Sequence, residues 1–326
     1  MNPYSILSLF TWCGWLDLWF LWDFTFLEKK YKKNNFQLIW ANDIDEKACL
    51  TFSKNFHHWI VCGDIREILA NNQQGLLDTP PPDHIDVLLW GFPCQDFSHA
   101  GKRLWFDSSR GTLYQAMAEM IKKTSPKLFL AENVKGLLTM DNGQAIEKVI
   151  SDFSELWYNI VYKLFLTADF WVPQKRERVV IVGTRKDILP PFVFPKPSLR
   201  TNKWITLWEA IGDLENIKEG GVKNHFWSKA KKNKWQWNSI IDKNGLGPTM
   251  RAEHHGNIEF HRNGQRRLSA REAARIQSFP DDFIFYPSTS SAYKQIGNAV
   301  PPVFARYLAK HIEKFLDKHC KRKDDK

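Results

Sequence analysis

Short apolar runs alternate with helical patterns along the first half of the chain, and this alternation most limits the folds that the chain can adopt. The apolar runs lie at residues 6–10, 37–41, 60–62, 87–89, 128–131 and 179–182. Amphipathic helical patterns occupy residues 16–27, 112–123 and 144–156. Strands that alternate with helices predict an α/β domain whose sheet is mostly parallel and doubly wound, with helices on both faces.

Chemically capable side chains stand next to several of these runs. Cys94 comes shortly after the run at 87–89, Glu132 comes directly after the run at 128–131, and Arg176 and Arg178 precede the last run. Ligands of doubly wound sheets bind beyond the carboxyl ends of the strands, so these side chains are candidates for an active site. Taken singly, each has an ordinary alternative as a packed thiol, a solvated carboxylate or a charged strand end.

The chain changes character after residue 186. The alternation stops, a proline-rich stretch follows, and a basic run begins at Lys229. We therefore predict three parts: a catalytic domain at 1–186, a small basic domain inserted at 187–290, and a C-terminal segment at 291–326 that completes the catalytic domain. Ser269 and Glu272 form a capping box that begins a helix, and a last helix begins at Pro301. That last helix carries Phe304, Leu308, Ile312 and Phe315 on one face.

Charge and cysteine usage narrow the class of partner. The chain has 46 Lys and Arg against 36 Asp and Glu, a formal charge of +10, which favours an acidic partner such as nucleic acid. Its five cysteines are an odd number without a pairing pattern, so a reducing, cytoplasmic setting is expected. Asp17 and Asp23 interrupt the apolar N-terminal stretch, and we therefore predict no membrane segment.

Eight short segments occur in a fixed order along nearly the whole chain. They are Ser8-Leu-Phe10 with Cys13-Gly14, Ala41-Asn-Asp43-Ile-Asp45, Gly63-Asp-Ile65, Gly91-Phe-Pro-Cys94-Gln-Asp-Phe-Ser98, Glu132-Asn-Val134, Val172-Pro-Gln174-Lys-Arg176-Glu-Arg178, residues 267–280, and Gly297-Asn298-Ala-Val300. In this order they resemble the DNA cytosine-5 methyltransferases, of the bacterial or phage modification type. The resemblance implies a Rossmann-like, S-adenosylmethionine-dependent methyltransferase fold with a small inserted target-recognition domain.

The resemblance implies covalent catalysis at cytosine. Carbon 5 of cytosine is a poor nucleophile, and a thiolate that adds to carbon 6 makes carbon 5 reactive. Cys94 is expected to be that thiolate, Glu132 to hydrogen-bond or protonate ring N3, and Arg178 to contact the carbonyl oxygen of the base. Arg176 is expected to orient the pocket and to favour the thiolate. Protonation of Glu132 requires a raised pKa of its carboxyl.

The resemblance also implies a site for S-adenosylmethionine. Phe10 is expected to pack on the adenine, Asp43 to accept from the ribose hydroxyls, and Asp64 to meet the adenine amino group. Without the resemblance, the two aspartates are explained equally well as caps at strand ends. The expected cofactor residues are Phe10, Cys13, Gly14, Asp43, Ile44, Asp64, Ile65, Pro93, Asn298 and Val300. No metal is expected.

The implied substrate is a cytosine flipped out of double-stranded DNA. The lysines from Lys229 onward are expected to contact phosphates, and residues 251–257 have side chains able to read base edges. The protein is expected to be a monomer, and a cognate restriction endonuclease would be a functional partner and not part of a complex. Two alternatives stay open: a tRNA cytosine-5 methyltransferase and a catalytically dead DNA-binding protein.

Tryptophan stands at several positions where the family has glycine. The family loop Phe-x-Gly-x-Gly-Gly is here Phe10-Thr-Trp12-Cys-Gly14-Trp15. The positions of this kind are 12, 15, 19, 22, 90, 105, 157 and 171. The chain has 15 Trp and 17 Gly, and glycine is about 5% of it against a usual share of roughly 7%. Restoring glycine at these positions would raise its share to about 8%.

We hypothesise that the codons at these positions are UGA, read as glycine in the source organism. Trp235 and Trp237 are further candidates, whereas Trp40 is expected to be a true tryptophan. An indole at position 12 would occupy part of the cofactor's space, because glycine in such a loop permits a close approach of the backbone to the ligand. The alternative is a true pseudoenzyme whose cofactor pocket is filled.

Overall fold

The computed structural model describes residues 2–14, 20–91, 112–199, 203–235, 238–252 and 257–320. The strands are β1 (Tyr4–Leu9), β2 (Phe24–Phe26), β3 (Lys29–Tyr31), β4 (Phe36–Asp43), β5 (Val61–Cys62), β6 (Val87–Trp90), β7 (Leu128–Val134), β8 (Tyr158–Leu166) and β9 (Glu177–Arg185). The α-helices are α1 (Glu46–Phe56), α2 (Ile65–Gln73), α3 (Thr112–Thr124), α4 (Gln144–Glu155), α5 (Leu207–Ile211), α6 (Ala270–Ile276), α7 (Thr289–Asn298) and α8 (Pro302–His319).

Seven strands form one sheet in the order β5-β4-β1-β6-β7-β9-β8. The first five of these pair in parallel, whereas β9 is antiparallel to both of its neighbours. The predicted α/β class with a mostly parallel, doubly wound sheet is confirmed. All six predicted strands are present within a few residues of their expected bounds. The sequence does not predict β8, an edge strand whose side chains are mostly half-buried and show no clear alternation.

The central strands send alternate side chains to two hydrophobic cores, one on each face of the sheet. On β6, Val87 and Leu89 belong to one core, and Leu88 and Trp90 belong to the other. The first core is covered by α1, α5, α6, α7 and α8, and the second by α2, α3 and α4. Burial on both faces explains why these strands are continuous apolar runs instead of alternating ones.

The predicted helix boundaries are mostly confirmed. Ser269 and Glu272 form the expected capping box at the start of α6. In α8, Phe304, Leu308 and Ile312 are buried against the first core, and Phe315 packs beside them, so the last helix docks on the sheet as expected.

The helix predicted at residues 16–27 is wrong in its second half. Helical structure ends at Leu21, and β2 and β3 then pair as an antiparallel hairpin. Phe24 and Phe26 are buried while Thr25 between them is exposed, which is the alternation of a strand. The dense run of Leu, Trp and Phe before it hides this short alternation in the sequence.

The division into parts at 186/187 and 290/291 stays a prediction. Within the middle part, α6 and Met250 lie in the same core as Ile6 of β1, so this region packs directly on the sheet. In the described ranges, no helix combines the length and the apolar character that a membrane crossing requires.

Gly297 allows α7 to pack against the backbone of the middle part. A Cβ atom at position 297 would lie 2.0 Å from the carbonyl carbon of Arg251. Because the crowding atoms belong to the backbone, they cannot turn away as the end of a flexible side chain can. Any residue larger than glycine must therefore push α7 away from this segment.

We expect Gly297→Ala to lower the free energy of unfolding by about 3 kcal/mol, because overpacking at a rigid contact is destabilising. Gly63→Ala is the matched control, since the nearest atom to its added Cβ is the Cδ1 of Ile68 at 3.7 Å, an ordinary contact. Urea unfolding monitored by tryptophan fluorescence measures both. Equal losses in the two variants would show that the close approach at 297 is not a constraint.

Candidate active site

Several of the predicted catalytic and cofactor residues that the structure describes lie along one edge of the sheet. The parallel strands β1, β4, β5 and β7 all end at this edge, and the antiparallel strand β9 begins there, with Arg178 paired to Val134. Two sites adjoin each other along the edge. Phe10, Asp43 and Asp64 follow neighbouring strands on one side, and Glu132 and Arg178 lie on the other.

Glu132 and Arg178 form a buried ion pair. The Nε of Arg178 lies 2.7 Å from the Oε1 of Glu132, and both side chains are almost fully shielded from solvent. Burial raises the pKa of the Glu132 carboxyl, and the positive charges of Arg178 and Arg176 oppose that rise. The carboxyl is thus pushed towards a form that can donate a proton, next to a guanidinium that can pair with a negative oxygen.

Arg176 lies next to this pair, but its guanidinium binds backbone. It donates to the carbonyl oxygens of Met250 at 2.8 Å, Gly297 at 2.9 Å and Ala299 at 3.0 Å. Two of these carbonyls belong to the last turn of α7 and the residues after it, where a cation is favourable. Arg176 therefore joins the start of β9 to the middle part of the chain and to the segment that carries Asn298 and Val300.

We expect Arg176→Lys to lower the free energy of unfolding by about 3 kcal/mol, because a compact ammonium cannot reach three carbonyls that a planar guanidinium spans. The control is Arg185→Lys, whose guanidinium pairs with Asp187 at the surface. That change should cost less than about 1 kcal/mol. Urea unfolding compares the two, and a loss at Arg176 no larger than at Arg185 would refute the joining role.

Asp43 organises the loop after β1. One carboxylate oxygen accepts from the backbone N–H of Trp12 at 2.7 Å, and the other accepts from the N–H of Asp45 at 2.8 Å. Burial raises the pKa of Asp43 from its ordinary value of 3.8 to about 6, although both N–H groups favour the ionised form. Each oxygen keeps a lone pair, so the carboxylate can still accept from two hydroxyls of a ligand.

The raised pKa of Asp43 makes the stability of the fold depend on pH. The contribution of this carboxyl is greatest below pH 3.8 and is lost as the pH rises through about 6, because the folded state holds the proton more tightly than the unfolded chain. From pH 4.5 to 7.5, the parent should therefore lose about 2 kcal/mol relative to Asp43→Asn, which does not titrate. Urea unfolding at several pH values measures this difference. A difference that stays constant with pH would contradict the raised pKa.

The other cofactor candidates lie around this loop. Asn42 donates from Nδ2 to the carbonyls of Val61 and Gly63, both at 2.9 Å, and so holds the end of β5 against β4. Asp64 caps α2 by accepting from the N–H of Arg66, whose side chain also lowers the pKa of the Asp64 carboxyl. Ile44, next to Asp43, is 63% exposed. An exposed apolar side chain between two carboxylates is suited to one face of an adenine ring.

The remaining predicted residues differ in what the structure says of them. Cys13 is buried, and Gly14 has a φ of +90° and would place a Cβ 2.5 Å from the ring of Phe56. Ile65 is buried as the first residue of α2. Asn298, the last residue of α7, is half-buried, and Val300 after it is buried. Cys94 and Pro93 lie outside the described residues, as do positions 253–256 of the segment predicted to read bases.

Sequence reasoning did not single out two glutamines of the site. The Nε2 of Gln174 donates to the Oε1 of Gln277 at 2.5 Å, and the Nε2 of Gln277 donates to the carbonyls of Ile296 and Ala299. Together with Arg176, they satisfy the backbone at the end of α7. Both glutamines belong to segments that carried the resemblance, which was the only signal in the sequence for their importance.

Comparison with known proteins decides the family. The family model of C-5 cytosine-specific DNA methylases matches residues 4–314 of this chain. The chain belongs to this family. The methylase is 36% identical to the Type II methyltransferase M.NgoFVII of Neisseria gonorrhoeae, across 95% of this chain and 87% of the relative. It is 35% identical to M.FnuDI of Fusobacterium nucleatum, across 96% of this chain and 95% of the relative.

Solved structures share the fold of the methylase. A DNA modification methyltransferase encoded within an Escherichia coli prophage superposes with a TM-score of 0.67 at 21% identity, covering 97% of this chain and all of that one. DNMT2 of Spodoptera frugiperda gives a TM-score of 0.68 at 16% identity, covering 95% of this chain and 99% of that one. The expected Rossmann-like methyltransferase fold is thereby confirmed.

Family membership also confirms the expected activity and cofactor. The methylase transfers a methyl group from S-adenosylmethionine to carbon 5 of cytosine in DNA. The described residues fit the cofactor in most respects: Asp43 retains acceptor capacity, Ile44 is exposed beside it, and Asp64 is fixed at the start of α2. Position 12 carries an indole where the resemblance expects glycine; the N–H of Trp12 is held by Asp43, and the partly buried indole packs against the first core.

Proposed function

We propose that this methylase acts through a covalent adduct of Cys94 with a cytosine flipped out of a specific duplex DNA sequence. The observation that carries the proposal is the buried pair of Glu132 and Arg178 at the carboxyl edge of β7. The neighbouring strand β6 ends at Trp90 on the same edge, and the chain runs from there towards Cys94. Cys94 is only four positions beyond Trp90 in the sequence, and the proposal requires its thiol to meet the base at this end of the sheet.

Each of the three side chains has one task. The thiolate of Cys94 forms a bond to carbon 6, and the electron pair of the ring's 5,6 double bond moves towards the ring nitrogen and carbonyl. Glu132, with its raised pKa, donates a proton or a short hydrogen bond to N3 as that charge develops. Arg178 pairs with the carbonyl oxygen of the base. Once carbon 5 is methylated, a base acting through water takes the proton from carbon 5, the electron pair of that C–H bond re-forms the 5,6 double bond, and the thiolate departs.

The cofactor supplies the methyl group when it is bound. On the protein side, Asp43 accepts from the ribose hydroxyls, and Phe10 and Ile44 pack on the adenine. Asp64 meets the adenine amino group, and Asn298 and Val300 close the site. Arg176 acts on this site indirectly, because its bonds to Gly297 and Ala299 fix the segment that holds those two residues.

The middle part of the chain supplies the contacts with DNA. Lys231 and Lys234 are exposed. Exposed cations suit a contact with phosphates. Residues 251–257 would read base edges. A protein of this kind acts as a cytoplasmic monomer, and a cognate restriction endonuclease is its functional partner.

We expect Cys94→Ser to reduce methyl transfer by at least about a thousandfold while leaving the affinity for S-adenosylhomocysteine within about twofold, since the thiolate acts only on the base. The assay uses the chain with glycine at 12, 15, 90 and 171, and the chain as written in parallel. Cys62→Ser is the control, because Cys62 is an exposed thiol at the end of β5. Loss of turnover and of cofactor affinity together would show that Cys94 is structural.

The substrate is tested by transfer of tritiated methyl groups to duplex DNA and to tRNA. Label in DNA alone supports the proposal, and label in tRNA alone replaces it with the tRNA enzyme. A chain that binds duplex DNA and cofactor but labels neither is the catalytically dead DNA-binding protein.

A further inference from the structure

The backbone at three of the tryptophans adopts a conformation that suits glycine. Trp12, Trp157 and Trp171 have φ angles of 50°, 71° and 65°. In this left-handed region the Cβ of an L-residue crowds the backbone, and bulky side chains are rare there. The other tryptophans in the described part of the chain have no positive φ. All three are among the positions at which the resemblance expects glycine.

Position 157 shows the requirement most clearly. Trp157 follows the end of α4, its N–H donates to the carbonyl of Ser154 at 3.2 Å, and its own carbonyl accepts from the N–H of Lys186 at 3.0 Å. A left-handed residue just past the end of a helix is usually glycine. Because the indole is 55% exposed, packing does not explain why a tryptophan would be held in this conformation.

Position 171 repeats the pattern in a second connection. Trp171 ends the short 3₁₀ helix Thr167–Phe170 with φ 65° and ψ 25°, before the chain turns towards β9. Its indole does have a neighbour, because the Nζ of Lys29 lies 4.0 Å from the centre of the ring. The turn itself is nevertheless a left-handed helix end, as at position 157.

Position 12 lies in the cofactor loop. The N–H of Gly14 donates to the carbonyl of Thr11 at 2.8 Å, and this bond closes a tight turn with Trp12 as its first central residue. Cys13, the second central residue, has no positive φ. A turn with a positive φ only at its first central residue is of type II′, in which that residue is glycine.

We propose that the native protein carries glycine at positions 12, 157 and 171, encoded by UGA. Tryptophan at these positions then comes from translating UGA as tryptophan. Where it concerns position 12 the inference rests on the proposed function, since the turn there lies against Asp43 and the cofactor. Positions 22 and 90 have backbone conformations open to any residue, so the geometry assigns nothing to them.

The codons give the first test. The expected result is UGA at 12, 157 and 171, with UGG at Trp40 and Trp59, whose backbone is not left-handed. In an organism that reads UGA as tryptophan, the two codons would be distributed without regard to backbone conformation. UGG at any of the three positions overturns the proposal for that position. UGA at Trp40 and Trp59 would show that backbone conformation does not distinguish the UGA codons from the UGG codons.

Paired substitutions give a second test, which does not depend on knowing the codons of the source organism. Trp59 is the matched control for Trp157, because the two indoles are 45% and 55% exposed and differ in the sign of φ. At 157 we expect Trp→Gly to melt about 2 °C or more above Trp→Ala, since alanine keeps the crowded Cβ and glycine does not. At 59 the order should be reversed, because glycine without a special conformation only adds entropy to the unfolded chain. The same order of melting temperatures at both positions would overturn the proposal.

Cofactor binding separates this inference from the proposed function. In calorimetry with S-adenosylhomocysteine, we expect Trp12→Gly to bind at least about tenfold more tightly than the chain as written, with Trp59→Gly unchanged as control. If the codons and melting temperatures agree with glycine but Trp12→Gly gains no affinity, the glycine assignment stands and the placement of the cofactor beside Asp43 fails. Tight binding by the written chain together with UGG at position 12 would overturn the assignment there.

Discussion

The buried guanidinium of Arg176 is the contact on which the active edge of this methylase depends. It donates to the carbonyl of Met250, 74 positions further along the chain, and to those of Gly297 and Ala299, 121 and 123 positions further along. Arg178 stands two residues later, in β9, so Arg176 holds the chain directly before the strand in which Arg178 meets Glu132. A fully buried cation is costly, and the bonds of its two terminal nitrogens to three backbone carbonyls, two of them at the end of α7, offset part of that cost. The buried pair of Glu132 and Arg178 and the end of α7 are therefore connected through the side chain of Arg176.

The sequence predicted those parts of the fold that rest on local signals. Continuous apolar runs marked the buried strands, and Ser269 with Glu272 marked the start of α6. The hairpin of β2 and β3 was missed because each strand has only three residues and only β2 alternates, too short a pattern to be recognised beside a longer helical one. The partners of Arg176 could not be predicted either, because they lie far away in the sequence and are backbone atoms, whose identity leaves no trace in the residue types.

Asp43 shows how two interpretations of one residue can both fit. As a strand-end residue it was open to a capping role or to a role in binding the ribose. Its two oxygens do accept from the backbone of Trp12 and Asp45, which is capping. The same bonds fix the direction of the carboxylate, and each oxygen retains a lone pair for a hydroxyl. Capping is therefore compatible with an acceptor role for the same carboxylate, and burial is the cause of its raised pKa.

The tryptophan at position 12 connects this carboxylate to the choice of residue type. The N–H of residue 12 is held by Asp43 and the turn is closed by Gly14, so the surrounding fold imposes the left-handed conformation whatever side chain is present. A non-glycine residue held in this way costs roughly 1–3 kcal/mol, and it persists only where the rest of the structure demands it. The Cβ that is unfavourable at positive φ begins an indole that is partly buried and packs against the first core. Glycine removes the crowded Cβ and keeps the bond from the N–H of residue 12 to Asp43. The cofactor loop therefore retains its shape in the chain as written, while the residue for which that shape is suited is absent.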